Sequence, residues 1–341
     1  MLCLQAITRF DIAKKFSAGE QLSYTQLAES TGLNEQLLRR LLRHAMTMRV
    51  FSEPSKDFVA HTAASMLLTE PHMHDWMRTG CEEMWPAATR VMDAVEKWPA
   101  SQEANETGFA LANDTGSSIY QVVGSDPLRA ARFANAMKAY TSSRGFEVSH
   151  IIDNYNWDGV GNGLVVDIGG GRGHVAIPLA QRYQSLHVVV QDMPQVVEGA
   201  ASDLPAQLAI RVKFMAHDFF AEQPVEADVY YFRWIFHNWS DKYSVQILRY
   251  LRPALRHGAR VVIQDTCLPE PGKIAQWREK ELRAADLNML GAFNSRERDL
   301  EEWKHLFQEA DSRFDFIGVE EPRGSALAII EARWNDPPAS S

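Results

Sequence analysis

Short apolar runs recur through the second half of the chain, at 164–168, 187–192, 212–217, 227–233, 260–265, 313–319 and 325–332. Most have strand length and little polar alternation, the mark of strands buried on both faces. Segments with apolar residues at helical spacing separate most of them, including 241–258, 278–293 and 299–311. Strands alternating with helices predict an α/β fold with a doubly wound, mostly parallel sheet. The last two runs meet at Gly324, just after Pro322 and Arg323, and predict an antiparallel closing hairpin.

The first 70 residues follow a different pattern. Ser23–Leu33 reads as a helix ending near Gly32, and Asn34 caps a second helix, EQLLRRLLRHAMTMRV. VFSEPSKDFVAHT then reads as a small hairpin. Together these predict a helix-turn-helix with a wing. Arg39, Arg40 and Arg43 share the helix that would read DNA, so a DNA-binding reading stands here as an alternative. Residues 72–155 read as largely helical, with Arg129–Tyr155 as a long helix or a helix pair. The expected division is a mostly helical unit over 1–145 and the α/β unit over 146–336. Pro337 to Ser341 reads as a disordered tail.

A chain of 341 residues holds two domains or one large one. A net charge of −9 supplies no broad basic face, which argues against nucleic-acid and anionic-membrane partners. Cys3, Cys81 and Cys267 are few, odd in number and far apart. They point to a reducing compartment, without a disulfide framework or zinc cluster. No signal-peptide core is visible, and no apolar run approaches the ~20 residues that span a bilayer. The expected location is cytoplasmic.

The chemistry starts in LVVDIGGGRGHVAIPLA, residues 164–180. An apolar run ends in Asp167, turns through Gly169, Gly171 and Gly173, and enters a helical pattern. Glycines there let a cofactor lie against bare backbone at a helix mouth, where free N–H groups attract anions. The next run ends in Asp192, which follows Gly173 by 19 residues, about the ~20 expected of an acid that holds ribose hydroxyls. Read from Gly171, G-x-G-x-x-A also fits a dinucleotide turn, and a plain tight turn is a further alternative. The form D-x-G-x-G-x-G resembles S-adenosylmethionine-dependent methyltransferases. That cofactor has no pyrophosphate, and its ammonium and sulfonium charges suit an acid placed at Asp167.

A second block, YYFRWIFHNWSDKYSVQILRYL (230–251), runs from a strand end into a helix capped by Ser240 or Asp241. Ligands bind at such strand ends, which places His237 where a substrate would sit. A histidine packed between Phe236 and Trp239 is the structural alternative. The stretch F-R-W-I-F-H-N-W-S-D resembles the plant and fungal O-methyltransferases of the caffeate type, the fungal secondary-metabolite branch above all, and the resemblance extends over nearly the whole chain. It implies a class I methyltransferase domain with a Rossmann-like sheet, an N-terminal winged-helix dimerisation domain, a homodimer, and S-adenosylmethionine without a metal. It makes His237 the general base. The acid after the fifth strand, in RVVIQDTCLPEPG, is Asp265, and that of the S-x-E-R segment in NSRERDLEEW is Glu297.

The physics agrees with that assignment. A phenol has a pKa of about 10 and a histidine about 6.5, so full proton transfer beforehand is uphill by about 3.5 units, or about 4.8 kcal/mol. Carboxylates beside an imidazole raise its pKa and fix its tautomer. By the same resemblance Met193 packs on the adenine, Asp218 accepts its amino group with Phe219 against the ring, Arg233 stands near the methionine carboxylate, and Trp239 stacks on adenine. The alternatives are a turn-capping role for Asp218 and core packing for Trp239. The resemblance also implies that Phe133, Met137 and Tyr140, which share one helix face, line the acceptor pocket; the alternative is that they belong to the core. Asn238, beside the base, departs from the aspartate of plant relatives. The short stretch before the winged helix implies a dimer with fewer contacts or a looser one. The expected reaction is methylation of a phenolic or enolic hydroxyl on a small aromatic metabolite. The alternatives are a non-methylating dehydration or pericyclic step on the same scaffold, and a cofactor-sensing regulator.

Overall fold

The computed structural model describes residues 1–336, and the tail expectation for Pro337 to Ser341 lies outside the described residues. The chain divides into two compact units. One comprises Met1–Ser101 and Asn105–Ser143; the other comprises Gln102–Ala104 and the residues from Arg144 onward.

The first unit contains α1 (Leu2–Arg9), β1 (Gln21–Ser23), α2 (Tyr24–Thr31), α3 (Glu35–Thr47), β2 (Ser52–Ser55), β3 (Phe58–Ala60), α4 (Pro71–Thr79) and α5 (Pro127–Thr141). Ser23 and Gln26 form a reciprocal cap at the start of α2, and Gly32 ends it in the left-handed conformation. Asn34 caps α3 through Leu37 N–H. The expected hairpin is present as β2 and β3, and β1 joins it as a third antiparallel strand. Leu38, Leu42 and Ala45 form the buried face of α3, against Ile7, Leu27, Phe51 and Val59. Burying each large apolar side chain contributes roughly 1.5–3 kcal/mol. On another side of α3, Arg39 pairs with Glu35 and Asp57, and Arg43 pairs with Glu53 and Asp57. Two of the arginines on which DNA reading would depend are thus neutralised inside the unit.

In the second unit the strands are β4 (Leu164–Ile168), β5 (His187–Asp192), β6 (Val212–Ala216), β7 (Val229–Arg233), β8 (Arg260–Asp265), β9 (Cys267–Leu268), β10 (Arg298–Asp299), β11 (Phe314–Glu320) and β12 (Ala328–Trp334). The helices that matter here are α6 (Ala176–Arg182), α7 (Asp241–Leu251), α8 (Gln276–Phe293) and α9 (Leu300–Ala310). The main sheet has the order β11-β12-β8-β7-β4-β5-β6. Strands β4 to β8 run parallel, and β12 is antiparallel to both β8 and β11. Each face carries its own core. Val166, Ile168, Tyr230, Phe232 and Ile263 belong to one, and Val165, Val188, Val190, Tyr231 and Val262 to the other. Burial on both faces is why these strands read as continuous apolar runs. The chain moves outward from β4 through β5 to β6, then returns to lay β7 on the other side of β4. That reversal opens a crevice at the carboxyl ends of β4 and β7.

Three expectations shift. The closing hairpin has a longer connection, since β11 ends at Glu320 and β12 begins at Ala328. Helix α7 stops at Leu251, where Arg252–Ala254 tightens into a single turn around Pro253. Neither Ser240 nor Asp241 caps α7 by its side chain. Ser240 Oγ donates to Gln102 O at 2.9 Å, and Gln102 Oε1 accepts Lys242 N–H at 2.8 Å. This capping from far away in sequence is one reason that residues 102–104 group with the second unit. The Arg129–Tyr155 stretch resolves as a helix pair, α5 and Ser149–Asn154.

Candidate active site

The cradle begins at the end of β4. Gly169, Gly171 and Gly173 all have positive φ, between 59° and 81°. Gly171 turns its N–H onto Asp192 Oδ2 at 2.9 Å, while Asp192 Oδ1 accepts Met193 N–H at 2.8 Å. Gly170, which the alternate-glycine pattern passes over, is required for space. A Cβ there would lie 2.5 Å from the Asp167 carboxyl. Asp167 is buried, and its Oδ2 has no hydrogen-bond partner among the described residues. Burial, with Asp192 adding to it and Arg233 opposing it, pushes the Asp167 carboxyl up to about 7.

Arg233 ends β7, the strand beside β4, and is buried. Its guanidinium donates to Gln264 Oε1 and, through Nη2, to Phe146 O at 2.6 Å, and it lies 4.9 Å from the Trp234 ring centre. Its Nε is buried with no hydrogen-bond partner among the described residues. Asp218 Oδ1 accepts Phe220 N–H at 2.9 Å, so the turn-capping use of this carboxylate is present. Trp239 meets the edges of Phe219, at 5.9 Å, and Phe220, at 4.7 Å. Its packing alternative is therefore also present, within an aromatic group that includes Tyr243.

His237 sits on the short turn Phe236–Asn238 between β7 and α7. The chain reverses into that turn through Trp234, held at φ 53°, an uncommon conformation for so bulky a residue. Asp265, at the end of β8, accepts His237 N–H on Oδ2 at 3.2 Å. The short parallel pairing of β9 with β10 puts Arg298 opposite Cys267, and so brings the Glu297 segment beside the end of β8. His237 Nδ1 then lies 3.1 Å from Glu297 Oε1 and 3.8 Å from Asp265 Oδ1. The imidazole is 14% exposed, while both acids are buried. Burial lowers the His237 pKa, but Asp265 and Glu297 outweigh it and leave the group raised. Asp265 is itself raised, first by burial and then by Glu297, with His237 pulling it down.

The structure thus brings together His237, Asp265 and Glu297, and separately Asp167, the three glycines, Asp192 and Arg233. The trio offers ligand atoms within 4.8 Å of one another, close enough to hold a cation as well as a proton. Asn238 donates its amide to Trp234 O at 3.0 Å and braces the turn that carries His237. Phe133, Met137 and Tyr140 lie on α5 of the first unit. Met137 is 37% exposed and Tyr140 39%, so neither is core there, while Phe133 meets the edge of Tyr120 at 6.5 Å. Ala136 and Ala139 are the buried residues of the helix. Two clamps hold α5. Arg129 and Arg132 grip buried Glu83, and Asn135 donates to Asp75 at 2.8 Å. Sequence reading missed Gly170, Gln102, Glu83 and the bonding of Ser295 and Arg298. Only the last two carry a signal, because they flank Glu297 in its own motif.

Comparison with known proteins follows the same outline. An O-methyltransferase domain model matches residues 93–313, and an O-methyltransferase dimerisation domain model matches residues 2–71. The O-methyltransferase PaMT of Phomopsis amygdali is 41% identical over 96% of this chain and 78% of that protein. A chlorophenol O-methyltransferase of Trichoderma longibrachiatum is 40% identical over 98% of this chain and 73% of its own length. Among solved structures, mitomycin 7-O-methyltransferase MmcR superposes with a TM-score of 0.79 at 26% identity, covering 97% of this chain and 93% of that one. A pericyclic reaction enzyme shares the fold with a TM-score of 0.75 at 25% identity, over 98% and 87%. No helix among the described residues is long and apolar enough to cross a membrane. With these matches and a sheet of this topology, the chain belongs to the S-adenosylmethionine-dependent O-methyltransferases and transfers a methyl group from that cofactor to a hydroxyl oxygen of a small metabolite.

Proposed function

We propose that His237 is the general base of this reaction. The observation that supports it most is Nδ1 facing two buried carboxylates at 3.1 and 3.8 Å. That arrangement fixes the tautomer with Nδ1–H on Glu297 and leaves Nε2 as the acceptor. Nε2 takes the hydroxyl proton of the acceptor, and the imidazolium formed is stabilised by Glu297 and Asp265. S-adenosylmethionine supplies an electrophilic methyl group to the oxygen so activated. The chain's part is to align that oxygen with the donor and to hold the released proton.

The cradle fits the cofactor's charges. Asp167 offers to the ammonium a buried oxygen, and Arg233 to the carboxylate a positive charge and a buried N–H, both atoms without a hydrogen-bond partner among the described residues. Asp192 receives the ribose hydroxyls. Met193, Asp218, Phe219 and Trp239 receive the adenine. Phe133, Met137, Tyr140 and Asn238 are assigned to the acceptor, an aromatic metabolite with a phenolic or enolic hydroxyl. The chlorophenol specificity named for one relative agrees with an aromatic acceptor. The protein is assigned as a cytoplasmic homodimer formed through its N-terminal domain, with the domain division near residue 145 and no nucleic-acid partner.

A panel of hydroxylated aromatic metabolites, incubated with the enzyme and cofactor, tests the reading. The expected result is an acceptor that gains one methylene unit in mass with equimolar S-adenosylhomocysteine. A converted compound without S-adenosylhomocysteine would instead support the pericyclic or dehydrating alternative, which the intact base trio disfavours.

A further inference from the structure

Arg298 lies in the same motif as Glu297 and has no role in the chemistry above. It is fully buried. Nη1 donates to Phe236 O at 3.1 Å and Nη2 to Trp239 O at 2.9 Å, the carbonyls just before and two residues after the base. Nη2 also reaches Ser244 Oγ at 3.1 Å, and Nε reaches Asp241 Oδ1 at 2.9 Å in the first turn of α7. The carbonyl between them is held too, since Ser295 Oγ donates to His237 O at 2.7 Å. The guanidinium lies 5.3 Å from the ring centre of Trp303, which is buried as well.

His237 stands on a turn of three residues, and so short a segment has little regular secondary structure to aim its imidazole. The rigidity has to come from outside the turn. A planar fork with five N–H donors can bind several fixed acceptors at once, which a lysine ammonium on a flexible stem cannot reproduce. The charge of Arg298 is paired on the same side, since Asp241 Oδ1 lies 2.8 Å from Nη2.

We infer that Arg298 is a positioning residue for methyl transfer: it fastens the turn that aims His237. The inference rests on His237 being the base. A misplacement of 1 Å at a reacting group costs about 100-fold in rate, which sets the scale expected for loosening this turn.

The test compares Arg298→Lys and Arg298→Met with the wild-type enzyme. Turnover, acceptor KM and S-adenosylhomocysteine affinity are measured for each. Arg298→Lys should lose roughly 10- to 100-fold in kcat, with cofactor affinity and acceptor KM within about threefold of wild type. Arg298→Met should lose at least as much, in the same pattern. Should the methionine variant fail to fold, Arg298→Lys with Ser295→Ala decides the matter, the latter losing a smaller factor of kcat in the same pattern.

Full turnover in Arg298→Lys overturns the inference. So does cofactor affinity that falls in step with turnover. The underlying assignment fails separately, if His237→Ala turns over normally.

Discussion

The two halves of the site in the second unit are finished to different degrees. Around His237, the residue's own N–H is bonded to Asp265 and its carbonyl to Ser295, and the flanking carbonyls of Phe236 and Trp239 are bonded to Arg298. Around the glycine turn, Asp167 Oδ2 and Arg233 Nε are buried without hydrogen-bond partners among the described residues. A buried polar group left so costs roughly 1–3 kcal/mol. The difference teaches a division of labour. On the proposed reading the base is built in place by the protein alone, whereas the cradle's buried charges would be matched by the charged ends of the cofactor. Glu297 Oε2 is the exception on the His237 side, buried and without a hydrogen-bond partner among the described residues, beside a raised Asp265.

The sharpest way to break this comparison is to remove the base. His237→Ala should lower kcat by roughly 10²–10⁴. Steady-state methyl transfer to a confirmed acceptor measures it, and a loss of less than tenfold removes the base assignment. Next comes pH. His237 is raised above the ordinary histidine value and must be neutral to act. Turnover should therefore rise with pH through an acid limb lying above about 6.5. A limb below that value contradicts the acid trio.

A smaller effect belongs to the cradle. The Asp167 carboxyl is raised to about 7 in the folded protein, above its unfolded value. The stability linked to it is therefore complete below the ordinary carboxylate range and lost as pH rises through about 7. Asp167→Asn keeps the shape without the charge and should raise Tm by about 2 °C at pH 8 in calorimetry without cofactor. A lower Tm would mean that the carboxylate stabilises the apoprotein. Least of all is expected from chelation. Prolonged treatment with EDTA should leave turnover unchanged, and a loss restored by a divalent cation would reassign the trio as a metal site.

Much of this architecture is legible in the chain. The strands β4 to β8 show because burial on both faces demands uninterrupted apolar runs. The glycine turn shows because positive φ at Gly171 requires its residue type. What stays hidden depends on contacts made far from their origin. The cap of α7 comes from Gln102, 138 residues before Ser240, and no local pattern announces it. The need for Gly170 arises from the fold of the Asp167 side chain beneath it, which spacing does not encode. The closing hairpin drifted because its connection lacks a sharp two-residue turn signal, and so its strands start and end later than the glycine suggests. Arg298 was in view inside its motif, but only its carbonyl partners reveal what it holds.

The most direct test titrates S-adenosylhomocysteine calorimetrically into His237→Ala and Asp167→Asn side by side. His237→Ala should bind within about threefold of wild type, while Asp167→Asn should bind about 10-fold or more weakly, as expected for the loss of a charged hydrogen bond. The reverse pattern, with the histidine variant losing the cofactor and the aspartate variant keeping it, would contradict the division between a self-sufficient base and a ligand-completed cradle.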